Sequence, residues 1–142
     1  MADQTSSANA MPAMTVAASA LKAQQARMRV IAENMANADS VSKTAGGDPY
    51  RRQIPVFTPT TQPGGLPGVS MSSVAADTTP FRSEFQPGHP SADAKGYVKL
   101  SNVNPLVEAL DMKDAQRAYS ANISVIETQR AMDASTMTLL KQ

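Results

Sequence analysis

The 142-residue chain predicts a mainly α fold: two long terminal helices with coiled-coil-like seams, flanking a small β-rich, loop-rich middle. Two observations carry this. All seven glycines fall between Gly46 and Gly96, and eight of the ten prolines between Pro49 and Pro90. Gly and Pro are the strongest helix breakers, so the flanks are left free to be helical. The flanks also repeat apolar residues at heptad spacing, the mark of a helix that buries one stripe.

The elements follow in order. Residues 1–10 are rich in Ser, Asn and Ala and are expected to be a disordered, export-directing segment. Residues 11–39 form the N-terminal helix, with Pro12 tolerated in its first turn. Its seam is Met14, Leu21, Met28 and Met35, with Ala17, Gln24, Ile31 and Ala38 three positions after each. Residues 40–104 form the middle, with strands expected at 50–57, 69–76 and 97–100 and turns at 62–68 and 78–90. It holds five of the six aromatic residues, enough for only a small core. The C-terminal helix occupies 105–142, started by Pro105 behind a capping Asn104. Its rows are Met112, Tyr119, Ile126, Asp133 and Leu140, and Ala115, Asn122, Gln129 and Thr136, with Ile123 and Met137 alongside. Two helices of this length exceed what a small β unit can cover, so their seams point to assembly.

Composition excludes several functions. With 13 basic and 12 acidic residues the net charge is +1, leaving no surplus to neutralise a nucleic-acid backbone. There is no cysteine, and His89, in a Gly-His-Pro loop, is the only histidine, so neither a common zinc site nor any other cofactor is expected. No nucleophile–base pair is visible, and His89 reads as a turn or packing residue. No apolar run approaches the roughly 18 residues of a membrane span, and residues 1–20 lack the basic start of a cleaved signal.

Four segments carry a family resemblance. Residues 19–38, SALKAQQARMRVIAENMANA, resemble the N-terminal rod signature of the flagellar axial rod and hook proteins, closing on Asn34, Met35, Ala36 and Asn37. Residues 46–53, GGDPYRRQ, and 89–104, HPSADAKGYVKLSNVN, resemble the proximal-rod members of that family. Residues 117–122, RAYSAN, resemble its C-terminal helix motif.

The resemblance implies a non-enzymatic structural subunit with terminal helices in an inner axial layer and the middle projecting outward. It implies export by the flagellar type III apparatus without a cleaved signal. The expected partners are copies of the chain, other rod proteins, the membrane-ring base and the export apparatus, with no nucleic acid and no membrane insertion. The interface residues expected on the seams are Leu21, Met28, Ile31, Asn34, Met35 and Asn37, and Tyr119, Asn122, Ile123, Ile126 and Met137. Tyr50, Arg51 and Arg52 are expected to form a second interface in the middle segment. The rival reading is a soluble helical-hairpin export chaperone or adaptor, which would need no β middle.

Overall fold

The computed structural model describes residues 5–141, with side chains described from Pro12 onward. Element order is α1 (Thr5–Ala36), β1 (Gln53–Gln62), β2 (Leu66–Ala76), β3 (Arg82–Phe85), β4 (Tyr97–Leu100) and α2 (Pro105–Leu139). The fold is thus mainly α with a small antiparallel middle. Residues 1–4 of the expected disordered segment lie outside the described residues, whereas its remaining backbone, 5–10, is helical. Pro12 therefore lies inside α1 rather than in its first turn. The start of α2 is as expected: the Asn104 Oδ1 accepts the Leu106 N–H at 3.0 Å, satisfying one orphan donor of the first turn.

β1 and β2 form one two-stranded sheet and β3 and β4 another. β1 is longer than its composition suggests, because Pro55 and Pro59 lie within it. They are four residues apart, so both missing N–H groups fall on the same edge. In a two-stranded sheet one edge needs no donors, and proline is tolerated there. The β1–β2 turn has Pro63 and Gly64 at its centre, closed by the Gly65 N–H on the Gln62 carbonyl at 3.1 Å. Gly64 has φ of 87°, as the third residue of a type II turn requires.

β3 was not expected. It pairs with β4 from Arg82↔Leu100 to Phe85↔Tyr97, and the two aromatic rings meet edge-to-face at 5.2 Å. The β3–β4 connection is held by Asp93, whose carboxylate accepts the Lys95 and Tyr97 N–H groups at 2.8 and 2.9 Å. His89 is the expected turn residue: its Nδ1 accepts the Ser91 N–H at 3.1 Å. Gly96 closes this loop with φ of 81°, and a Cβ there would lie 2.9 Å from the Phe85 ring and 3.3 Å from the Pro87 backbone. Gly96→Ala is expected to cost about 1–2 kcal/mol. Thermal melting should show it against Gly88→Ala, where a Cβ meets nothing within 4 Å. Equal melting of the two variants would contradict the strain.

The chain divides into two compact units. One comprises Met28–Val56 and Ser73–Lys113. Its interior holds Val30, Ile31, Ala38, Val98 and Val103 together with buried Asn34, Ser42, Ser91, Ser101 and Glu108. The other comprises the chain up to Arg27, Phe57–Ser72 and the chain from Asp114. Its buried apolar residues are Ala17, Ala23 and Ala115, small side chains that let backbones approach closely. There the Val69 N–H reaches the Ser19 Oγ at 3.3 Å, and Gln25 donates to the Tyr119 hydroxyl at 3.4 Å.

The α1 seam is seen as a wider face. Ala17, Ile31 and Ala38 are buried and Met14, Leu21, Gln24 and Met28 half-buried, but Ser19, Ala23, Val30 and Asn34, off the two rows, are buried too. Strand and α2 residues both bond to α1, and such two-sided cover broadens a buried stripe beyond a coiled-coil seam. On α2, Met112, Tyr119, Ile126 and Asp133 and the row Asn122 and Gln129 are half-buried, and Ala115 is fully buried. The expected rows are covered as far as Asp133, whereas Thr136 and Leu140 at their C-terminal end are exposed.

Candidate functional site

A polar network lies inside the first unit, where the sequence motifs converge. Its centre is Glu108, in the first turn of α2 and 0% exposed. A carboxylate is favoured at a helix N-terminus, but a buried one needs partners. The Arg52 Nε donates to its Oε1 at 2.6 Å, and the Asn34 Nδ2 donates to its Oε2 at 3.1 Å.

Asn34, in the last turns of α1, uses its whole side-chain amide. Its Nδ2 also reaches the Gln53 carbonyl at 2.8 Å. Its Oδ1 accepts the Tyr50 hydroxyl and the Gln53 N–H, each at 2.9 Å. Asparagine in a helix interior is unfavourable by propensity; here its amide joins α1 to two segments at once. Arg52 is as heavily committed. Its two terminal nitrogens reach Asp77 and Asp111 at 3.4 Å, and its backbone N–H donates to the Asn102 Oδ1 at 2.7 Å. Asn102 in turn holds the Thr79 hydroxyl at 2.9 Å. Arg51 points elsewhere: it donates to the Asp77 carbonyl at 2.9 Å and covers the Phe81 ring at 4.1 Å.

The electrostatics follow from this geometry. Burial works against the charge on Arg52, but its bonds to Glu108 and then Asp77 outweigh that and raise its pKa. Burial raises the pKa of Tyr50, with the Glu33 and Glu108 charges adding to it. Asp77 is held below the usual carboxylate range, first by the Thr79 backbone N–H and further by Arg52. Asp93 is lowered by the Tyr97 and Lys95 N–H groups. A carboxylate with a depressed folded pKa contributes stability that is present above its unfolded value near 4 and is lost as pH falls through the folded value. Asp93→Asn should therefore lose less melting temperature than the unaltered chain between pH 5 and pH 2. Parallel losses would show that Asp93 is not linked to folding.

The expected site residues divide. Tyr50, Arg52 and Asn34 come together in this network, and Arg51 lies beside it. The Arg52 side chain is bound to α2 of its own chain, where buried Glu108 requires a counter-charge. Asn37 donates to the Glu33 carbonyl and Asn122 to the Ala118 carbonyl, each at 2.8 Å within its own helix. Leu21, Met28, Tyr119, Ile123 and Ile126 are half-buried and Ile31 is buried. Met35 and Met137 are 41% and 58% exposed. Glu108, Asp77 and Asn102 escaped the sequence reading, although Asn102 sits in the quoted 89–104 block.

Among the described residues no group of three or more His, Cys, Asp or Glu could hold a metal ion, and no helix is long and apolar enough to cross a membrane. The network joins structural elements.

Comparison with known proteins bears on what is being joined. Residues 14–42 match the family model described as "Flagella basal body rod protein", and residues 94–139 match "Flagellar basal body rod FlgEFG protein C-terminal". The flagellar basal-body rod protein FlgC of Agrobacterium fabrum is 42% identical, over 91% of this chain and 94% of its own. FlgC of Yersinia enterocolitica is 45% identical over 87% and 92%, and that of Borreliella burgdorferi 38% identical over 90% and 95%. The chain belongs to the FlgC family of flagellar basal-body rod proteins. As a FlgC-family chain it is a structural subunit of the basal-body rod, and its family is not one of enzymes. It assembles with other rod components. In FlgC terms, the polar network ties the N-terminal rod segment, through Asn34, to the start of the C-terminal one, through Glu108.

Proposed function

We propose that the chain is a subunit of the proximal rod. It packs its terminal helices against copies of itself and other rod proteins, forming an axial layer around the export channel. Its β middle projects outward, and its neighbours include the membrane-ring base. It travels through the flagellar type III apparatus without losing a signal peptide. The observation that carries this reading is that the two matched family segments, residues 14–42 and 94–139, hold most of the two long helices. The exposed apolar residues of α2, among them Leu106, Leu110 and Met137, also favour an assembling subunit over a self-sufficient adaptor.

The test is deletion of the gene with complementation. The deletion strain should be non-motile, with basal bodies that stop before the rod, and the chain supplied in trans should restore both. Rods of normal length in the deletion strain would overturn the reading. Export is checked separately by removing residues 2–10, which precede the first heptad position. The shortened chain should stay in the cytoplasm; undiminished incorporation into basal bodies would remove these residues from the export signal.

A further inference from the structure

The two compact units are held by different means. In Met28–Val56 with Ser73–Lys113, Val30, Val98 and Val103 are buried beside the polar network. Its bonds from Arg52 and Asn34 to Glu108, at 2.6 and 3.1 Å, join positions 56 and 74 apart. The same unit fastens the base of the β1–β2 hairpin, where the Asp77 N–H donates to the Arg52 carbonyl at 2.8 Å. Asn102 holds the chain just after it, through the Thr79 hydroxyl at 2.9 Å. The other unit takes the chain up to Arg27, Phe57–Ser72 and the chain from Asp114. Its buried apolar side chains, among the described residues, are Ala17, Ala23 and Ala115, and an alanine gains much less than a valine by leaving water. No residue of 57–72 is buried. Two bonds that join its segments, from the Val69 N–H to the Ser19 Oγ and from Gln25 to the Tyr119 hydroxyl, are long at 3.3 and 3.4 Å. The Gln24 Oε1 is buried there without a hydrogen-bond partner among the described residues, which weakens the closed state.

We propose that this second unit opens as a single piece while the first stays closed, and that the distal half of the β1–β2 hairpin, residues 57–72, opens with the two chain ends. A two-stranded hairpin is marginal on its own in water, and a helix draws most of its stability from packing one face. Both therefore need the cover that the second unit supplies. α1, α2 and the hairpin each run without a break from the first unit into the second. Each can melt back to that boundary without disturbing Asn34, Arg52 or Glu108. The three melt together because α1 is their common partner, holding the hairpin through Ser19 and α2 through Gln25. Contiguous cooperative opening of this kind is drawn from the parts of a fold with little buried apolar surface. The chain is thus a closed centre whose ends and hairpin tip close conditionally. This goes beyond the rod-subunit reading and does not depend on it.

Hydrogen exchange of the purified chain at neutral pH, read by mass spectrometry, tests this. The slowest amides of 57–72 should exchange together with the slowest of 16–27 and 114–136, and about a hundredfold faster than the slowest of 28–36 and 97–112. All three segments exchanging at the unprotected rate, with the first unit still protected, would support the proposal as well. Amides of 57–72 as slow as those of the first unit would overturn the place of the hairpin tip. Where the second unit is protected, Ala17→Asp puts a charge into its interior, ten residues before the boundary on α1. Exchange should then quicken in 57–72 and 114–136 as much as around residue 17, with 28–53 and 82–111 unchanged. Quickening confined to the neighbourhood of residue 17 would overturn the single opening. Loss of protection throughout the chain would overturn the separate stability of the two units.

Discussion

Arg52→Ala is expected to be the most damaging single substitution in the middle segment. It leaves the Glu108 carboxylate, 0% exposed, with the Asn34 amide as its one side-chain partner among the described residues. Removing one member of a buried ion pair typically costs about 3–5 kcal/mol, because the other charge stays buried. Against a total stability of roughly 5–15 kcal/mol that is a large fraction. The melting temperature of the purified chain, followed by circular dichroism, should fall steeply. Arg51→Ala should cost less, since it removes carbonyl bonds and the Phe81 contact without stranding a buried charge. Combining Arg52→Met with Glu108→Leu should recover most of the loss, because both charges then leave together. An Arg52→Ala chain that melts with the unaltered one would show that Glu108 does not need its counter-charge.

The second large effect is expected from Asn34→Asp. The shape is kept, and the bonds from Tyr50 and the Gln53 N–H can still be accepted. The two donated bonds are lost, to the Gln53 carbonyl at 2.8 Å and to Glu108 at 3.1 Å. An unsatisfied buried acceptor costs about 1–3 kcal/mol, and a second carboxylate beside Glu108 adds repulsion. The repulsion raises the pKa of the introduced group, so its protonated form returns near mildly acidic pH and can donate again. The stability gap between variant and unaltered chain should therefore narrow as pH falls from 7 towards 5. A gap that is constant across that range would mean that the two carboxylates do not face each other.

Which parts were legible in the sequence follows from how local their causes are. The start of α2 was readable because Asn104 and Pro105 act within one turn. Strand β4 was readable as a short apolar run between breakers. β3 was not: Arg82–Phe85 is exposed throughout and polar except for Phe85, and it becomes a strand through its pairing with β4. The length of β1 was hidden by Pro55 and Pro59, which read as breakers until their shared open edge is known. Tyr119, Asn122 and Ile126 of the expected α2 rows are half-buried, yet which side faced the chain and which the outside could not be read from spacing.

The polar network was the least legible part. Glu108 reads as an ordinary acidic residue at a helix start, suited to the helix dipole. Its burial depends on Arg52, 56 positions earlier, and on Asn34, 74 positions earlier. One signal was present: Asn34, Arg52 and Asn102 each sit in a segment quoted for family resemblance. Polar residues marked together in separate segments are candidates for contact with one another as well as with other subunits.

The central claim is that this chain is a rod subunit whose terminal helices form the axial layer while its middle stays tied to them from within. Electron cryo-microscopy of purified basal bodies at side-chain resolution tests it directly. The map should show the chain in the rod, with α1 and α2 in the layer next to the channel, the β segment outside them, and Arg52 paired with Glu108 of the same subunit. A rod without the chain, or one in which the β segment lines the channel and the helices face outward, would contradict it.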